Sequence, residues 1–408
     1  MDWSDNPEQA AFRAEVQQVI RDGLPEHYQE IARQGGGMFE EGWQADRKSD
    51  DATRRGAAED WSRALAERGW VAPHWPKEYG GAGLSSWEQY IYKEELAKAA
   101  APVVGGGGVS LLGPTLIVHG TDDQKEKYLP GILSGEVAWA QGYSEPGAGS
   151  DLAGLQTRAS RDGDEFVVNG QKIWTSGAQF ADKLFALVRT DPDAPKHRGI
   201  SFLLFDDIKS PGLTVRPLIS MSWKHIFNET FFEDVRTSAN NIVGEENRGW
   251  YVGMTLLDYE RSSVDSAVND RVSMEHLMAY VQTEQGALQS RLDIPSVRGD
   301  LAEAWIATEV AANLSLRVAS MQGAGLIPNY EASMVKMFGT ETMQRLQRTG
   351  TRVFGLYANL WDQEGELTPM RARFTHGYVD AIPMTIAGGS SEIQRNIIAT
   401  RGLGLPRS

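Results

Sequence analysis

Two stretches of the chain combine glycines, hydroxyls, amides and an indole at spacings that suit one flat ligand. The first is Gln141-Gly142-Tyr143-Ser144-Glu145-Pro146-Gly147-Ala148-Gly149-Ser150-Asp151, and the second is Lys172-Ile173-Trp174-Thr175-Ser176. Glycines let a backbone approach a ligand closely, hydroxyls and amides bond its heteroatoms, and an indole covers a planar ring. Taken singly, each stretch better suits a Gly-rich turn or a core tryptophan, the commoner uses of such residues. Taken together, they suit a planar, polar-edged cofactor.

Other chemistries lack their residues. The chain has no Cys, which removes disulfides, thiolate metal sites and cysteine nucleophiles together. His27, His74, His119, His197, His225, His276 and His376 are scattered without the paired spacing of a metal site, so no metal is expected. No Gly-x-Ser-x-Gly elbow supports a serine hydrolase. The run Gly105 to Gly108 lacks the Gly-Lys-Ser/Thr ending of a phosphate loop and reads as a flexible connection.

The elements that must position these residues change character along the chain. Its 408 residues predict two to four domains. A net charge of −15 opposes binding to nucleic acid. The acidic start MDWSDNPEQAAF does not resemble a signal peptide, and Ala99 to Val118 is broken by Pro102, Pro114 and glycines, so a cytoplasmic protein away from membranes is expected. Asn6 before Pro7 and Glu8 predicts a helix start, with Phe12, Val16, Val19 and Ile20 on one face. Further helices are expected at Glu59 to Arg68 and Trp87 to Lys98.

From about Ala138 the pattern becomes β, with turns predicted at Asp162-Gly163 and Asn169-Gly170. Strands are expected at Glu165 to Val168, Lys183 to Arg189, Gly199 to Phe205, Leu213 to Pro217 and Glu229 to Phe232. After Gly249 the period is helical again, near Trp250 to Thr283, Val297 to Met321, Glu331 to Leu356 and Ser390 to Arg401. The fold class is therefore mainly α with a central β domain, divided as 1–137 helical, 138–245 β barrel or sandwich, and 246–408 helical bundle. No βα alternation supports a Rossmann fold.

The sequence resembles the acyl-CoA dehydrogenase family, flavoenzymes that introduce an α,β double bond into acyl-CoA thioesters. The resemblance spans nearly the whole chain. It rests on Tyr143 to Asp151, on Lys172 to Ser176, on Phe231-Phe232-Glu233-Asp234-Val235-Arg236 and on Ala387-Gly388-Gly389-Ser390-Ser391-Glu392-Ile393-Gln394-Arg395-Asn396-Ile397-Ile398. It implies the three-domain fold, with FAD held by the last two domains. By matched position it implies that Gln141, Tyr143, Ser144, Gly149 and Ser150 face the flavin, with Trp174, Thr175 and Ser176 beside its ring system. Gly388, Gly389, Ser390 and Glu392 match the segment that crosses the active site and FAD, and Ser150 also matches a contact to the substrate's pantetheine arm.

Dehydrogenation needs a carboxylate to take the α proton while hydride leaves the β carbon for flavin N5. Many family members carry that Glu just before the Gly-Thr/Ser pair of the C-terminal motif, where this chain has Gly388. A minority, similar to isovaleryl-CoA and long-chain acyl-CoA dehydrogenases, place it on the first bundle helix directly before an Arg. This chain has Glu260-Arg261 there, with Gly253, Leu256, Leu257 and Val264 at helical offsets from Glu260. The resemblance thus implies Glu260 as the base and Gly388 N–H as a donor to the thioester carbonyl. Asp258 and Arg261 match contacts to the CoA portion, and equally suit an intrahelical ion pair.

Two departures touch the part of the FAD site that a neighbouring subunit supplies. Arg291-Leu292-Asp293-Ile294-Pro295 stands where the family usually has Arg-x-x-Phe-Gly, and Val353-Phe354-Gly355-Leu356-Tyr357 stands at a usual Gly-Gly pair. The implied function is FAD-dependent dehydrogenation of an acyl-CoA to the trans-2-enoyl-CoA, with an electron-transfer flavoprotein as acceptor and a homodimer or homotetramer as assembly. The alternatives are an oxygen-using acyl-CoA oxidase or monooxygenase of the same fold, and a subunit of a hetero-oligomeric dehydrogenase. Short, branched, aromatic and sterol- or terpene-derived acyl groups all remain open.

Overall fold

The structure is a computed structural model and describes residues 5–33, 42–261, 265–326 and 328–406, with the side chains of 258–266 outside that description. The chain divides into two compact units, one of residues 1–42, 84–102 and 261–408, the other of 43–83 and 103–260.

The second unit is built on one eight-stranded sheet. Its strands are β1 (Trp139–Gly142), β2 (Arg158–Asp162), β3 (Glu165–Lys172), β4 (Lys183–Arg189), β5 (Ile200–Phe205), β6 (Leu213–Ile219), β7 (His225–Ser238) and β8 (Ile242–Val243). The order is β6-β7-β3-β2-β4-β5-β8, and β1 pairs in parallel with β4. β4 and β5 read as nearly continuous apolar runs because both of their faces are buried, and Leu184, Ala186, Val188, Leu203 and Phe205 join Phe166, Val168 and Phe232 in one core. Asp162-Gly163 turns β2 into β3, with Gly163 at φ +66.

Asn169-Gly170 is not a turn but lies inside β3. β7 carries an extra residue there, and Asn169 exchanges two bonds of 2.9 Å with Asp234, one to its carboxylate and one from its amide. Gly170, at φ +151, lies so close to Thr157 that a Cβ would stand 2.6 Å from its Oγ1. Glycine is there for a bulge rather than a hairpin. The Gly105 to Gly108 run is likewise no loose connection. Gly105 and Gly106 take positive φ, and Gly108 opens a wide helical turn that continues into the helix Gly113–His119.

The first unit is helical. Pro7–Gly23 starts at Asn6, whose side chain accepts from Gln9 N at 2.9 Å while Gln9 returns the bond, and Ser86–Lys98 starts with the same reciprocal arrangement of Ser85 and Glu88. Arg13 joins these two helices through Glu94 at 2.6 Å and Glu95 at 2.5 Å. The bundle helices are Asp265–Tyr280, Pro295–Gly323, Tyr330–Phe354, Arg373–Asp380 and Ser391–Ile397. Leu277, Leu301, Ala304, Leu346, Val353 and Phe374 form a core shared by the first four of them. Among the described residues, no helix is long and apolar enough to cross a membrane.

Candidate functional site

The two sequence stretches meet at the end of β3. Ile173 N donates to Ser144 O at 2.9 Å, which lays the strand exit alongside the loop that follows β1. A two-residue bridge between Glu145 and Ala148 then turns the chain, leaving Gly149 and Ser150 exposed. A Cβ at Gly147 or Gly149 would meet no atom of the described residues within 4 Å, so among these residues the loop borders open space.

Trp174 takes φ +60, an unusual conformation for a bulky residue, and holds its indole 55% exposed with an edge contact to Phe227. Thr175 is buried beneath it. Its N–H donates to Asn228 O at 3.0 Å, its carbonyl accepts from Asn228 Nδ2 at 3.0 Å, and its hydroxyl accepts from Thr230 Oγ1 at 3.1 Å. Ser176 is exposed, Gln141 half-buried, and Tyr143 buried with its ring edge against Phe185 and Phe202. An exposed indole over a fixed strand end, beside a glycine and hydroxyl loop on open space, fits the ring and polar edge of FAD.

Sequence reasoning missed the groups beneath this surface. Lys172 is fully buried and donates to Glu145 Oε1 at 2.8 Å and to Tyr143 O at 3.1 Å. The same carboxylate accepts from Thr157 N at 2.8 Å and Gln156 N at 2.6 Å. Burial raises the Glu145 pKa, but the Lys172 charge and these bonds outweigh it and hold the carboxyl below its ordinary range. Burial pushes Lys172 down to about 8 against the pull of Glu145. Arg189 adds a second tie, donating to Ala153 O at 2.6 Å. The available signal was a Glu and a Lys, one in each of two mostly uncharged motifs.

The helix Gly249–Arg261 packs on the sheet through its glycines. A Cβ at Gly249 would stand 2.2 Å from Phe202 N, and one at Gly253 would stand 3.2 Å from Leu187 and 3.4 Å from the Tyr143 hydroxyl. Leu256 is buried on the same side and His119 Nε2 bonds Thr255 Oγ1 at 2.9 Å. Glu260 lies in the last turn of this helix. The side chains of Asp258, Glu260 and Arg261, and all of Val264, lie outside the described residues.

In the helical unit, Gly388 and Gly389 adopt φ +62 and +85 before the N-terminus of Ser391–Ile397. Ser390 Oγ accepts from Ile393 N at 3.4 Å, and Gln394 Nε2 donates to the carbonyls of Gly388 and Gly389 at 3.1 and 3.2 Å. Lys336 Nζ donates to Gly389 O at 2.7 Å. Glu392 is exposed, and its own backbone N–H and Ser390 hold its carboxyl below the usual range. The two departures from the family pattern are neighbours here. Arg291 N donates to Val353 O at 2.7 Å, a Cβ at Gly355 would meet Arg291 Cδ at 2.4 Å, and Leu356 stands 87% exposed. Among the described residues, no His, Asp and Glu cluster could hold a metal ion.

Family models described as "Acyl-CoA dehydrogenase, N-terminal domain", "middle domain" and "C-terminal domain" match residues 6–136, 140–235 and 247–403. The chain belongs to the acyl-CoA dehydrogenase family, FAD-dependent oxidoreductases. It is 36% identical over 397 residues to acyl-CoA dehydrogenase IpdE1 of Mycobacterium tuberculosis, covering 97% of each chain. A solved structure described as "Tcur3481-Tcur3483 steroid ACAD" superposes with a TM-score of 0.85 at 35% identity, covering 100% of both chains. The ChsE4-ChsE5 complex from Mycobacterium tuberculosis gives 0.82 at 34% identity, again covering 100% of both.

Proposed function

We propose that the chain dehydrogenates the acyl-CoA thioester of a bulky, steroid-type acyl group, with Glu260 as the base that takes the α proton. The carrying observation is the full-length likeness to a steroid acyl-CoA dehydrogenase at 35% identity. The glycine at position 388, where many family members carry their base, agrees with relocation of the carboxylate to the helix Gly249–Arg261. FAD, when bound, supplies the two-electron acceptor for the hydride that leaves the β carbon. Trp174, Thr175 and Ser176, with Gln141, Tyr143, Ser144, Gly149 and Ser150, would hold its ring system. Gly388, Gly389, Ser390 and Glu392 would line the cofactor and substrate. The N–H of Gly388 would donate to the thioester oxygen and stabilise the charge that develops there. Ser150, Asp258 and Arg261 would contact the CoA arm, and a fixed cation suits its phosphates.

The domains of this reading are 1–137, 138–245 and 246–408. A hetero-oligomer fits better than a homo-oligomer, because the two-name complexes among the relatives coincide with altered residues at Arg291 to Pro295 and an exposed Leu356. An electron-transfer flavoprotein would take the electrons onward.

The test is the visible spectrum during anaerobic titration with steroid, branched and straight acyl-CoA thioesters, alone and with candidate partner subunits. A steroid-type thioester should bleach the oxidised-flavin band. Glu260→Gln should bind flavin and thioester yet reduce flavin at least 100-fold more slowly, in the range of a lost general base. Near-normal reduction removes Glu260 from the mechanism, and bleaching by straight-chain thioesters alone removes the steroid assignment.

A further inference from the structure

We infer that Glu145 and Lys172 are positioning residues, a buried clasp that holds the cofactor-facing loop and the Trp174 turn in their binding conformation. The inference rests on the flavin reading and adds to it two residues that touch neither cofactor nor substrate.

The geometry is that of a cinched loop. Residues 146–155 leave and return through a single carboxylate, because Glu145 at the start of the loop accepts the N–H groups of Gln156 and Thr157 at its end. Gly149 and Ser150 lie on that loop. Lys172 binds the same carboxylate and also the Tyr143 carbonyl, so one ammonium fastens both the residue that follows β1 and the loop's closing clasp to the end of β3. Lys172 pairs in register with Thr230 of β7, which donates to the Thr175 hydroxyl beside Trp174. Displacing the ammonium would therefore free the loop from the strand end that carries the indole.

The pair is neutral as a unit and removed from water, so losing either member leaves an uncompensated charge in the interior. A surface decorated with glycines cannot hold its own shape, since each glycine adds backbone freedom. The clasp supplies the order that Gly147 and Gly149 lack, and the ligand then binds a conformation already made.

The test compares the flavin-loaded wild type with Lys172→Met and Glu145→Gln. Flavin release on dilution is followed by recovery of FAD fluorescence, and hydrogen exchange is followed segment by segment. The expected result is release accelerated about tenfold or more, corresponding to roughly 1.4 kcal/mol, with exchange accelerated more at residues 143–157 and 171–176 than in β4 and β5. Release within twofold of a wild type that holds FAD overturns the clasp and leaves the flavin reading intact. Faster exchange spread equally through β4 and β5 also overturns it, because the pair would then serve general stability alone. A wild type that binds no FAD, either alone or with its partner subunit, overturns both readings. Should Lys172→Met fail to fold, Glu145→Gln, which keeps the side chain's volume, is judged by the same criteria.

Discussion

Each of the two units buries a carboxylate near a cation, with opposite electrostatic outcomes. In the sheet unit, Glu145 accepts three N–H bonds, one from the Lys172 ammonium, and its carboxyl is held below the ordinary range. In the helical unit, Asp270 is fully buried in Asp265–Tyr280, and among the described residues neither of its oxygens receives a hydrogen bond. Arg373 feels the Asp270 charge but spends its bonds on Ser273 Oγ at 2.7 Å and His276 Nδ1 at 3.5 Å. Burial then dominates and pushes the Asp270 carboxyl well above its usual range. Proximity of opposite charges does not by itself stabilise a buried pair. At Glu145 the Lys172 charge acts together with donated hydrogen bonds, which replace the water that burial removed.

Breaking the satisfied pair should give the largest effect. Lys172→Met strands Glu145, and the loss expected from such a break is about 3 to 5 kcal/mol of folding stability. Chemical denaturation at pH 7 measures it. The double variant Lys172→Met with Glu145→Leu should recover much of that loss, since an apolar replacement of a buried pair is often close to neutral. A double variant no more stable than Lys172→Met would show that the bonds to Gln156 and Thr157, rather than the ion pair, carry the energy.

The unsatisfied pair should respond in the opposite direction. Each unit of upward shift in a carboxyl pKa costs about 1.4 kcal/mol once the unfolded carboxyl is ionised. Asp270 binds its proton more tightly folded than unfolded, so its contribution to stability is full below the ordinary carboxylate range and is lost as pH rises toward its folded value. Asp270→Asn removes that loss and should be more stable than wild type at pH 7, with the gain fading toward pH 4. Glu145 has the reverse sign, with stability present at neutral pH and lost as pH falls below the ordinary range. Thermal midpoints of Asp270→Asn and wild type between pH 4 and 8 test the contrast, and parallel curves would remove it.

This difference was only partly legible in the sequence. Strand β4 was readable residue for residue because an apolar run bounded by polar residues fixes it locally. The helices Ser86–Lys98, Pro295–Gly323 and Tyr330–Phe354 fell within two residues of expectation because caps and periodicity are also local. Asn169-Gly170 misled because the identity of the pair suits a hairpin, while its use as a bulge depends on Asp234, far along the chain. Trp174 was readable as a residue apart from the core, but its left-handed backbone was not. Glu145 and Lys172 stood inside quoted motifs without a role, since neither spacing nor composition shows that residues 27 positions apart share a bond. The polar interior of the bundle was hidden altogether, because Asp270 and Arg373 lie on separate helices with no local sign that they meet.

The smallest effect belongs to an ion pair on the same loop as the clasp. Asp151 and Lys196 meet at 2.6 Å, nearer than Glu145 and Lys172, yet both side chains are about half exposed or more, at 67% and 49%. Water screens such a pair and competes for its bonds, so Asp151→Asn should change stability by about 0 to 1 kcal/mol, and raised salt should erase even that. Flavin release should stay within twofold of wild type, because the loop is closed by Glu145 whether or not Asp151 is charged. Release from Asp151→Asn as fast as from Lys172→Met would mean that charge anywhere on this loop governs it, and that burial and hydrogen-bond satisfaction are not what separates the two pairs.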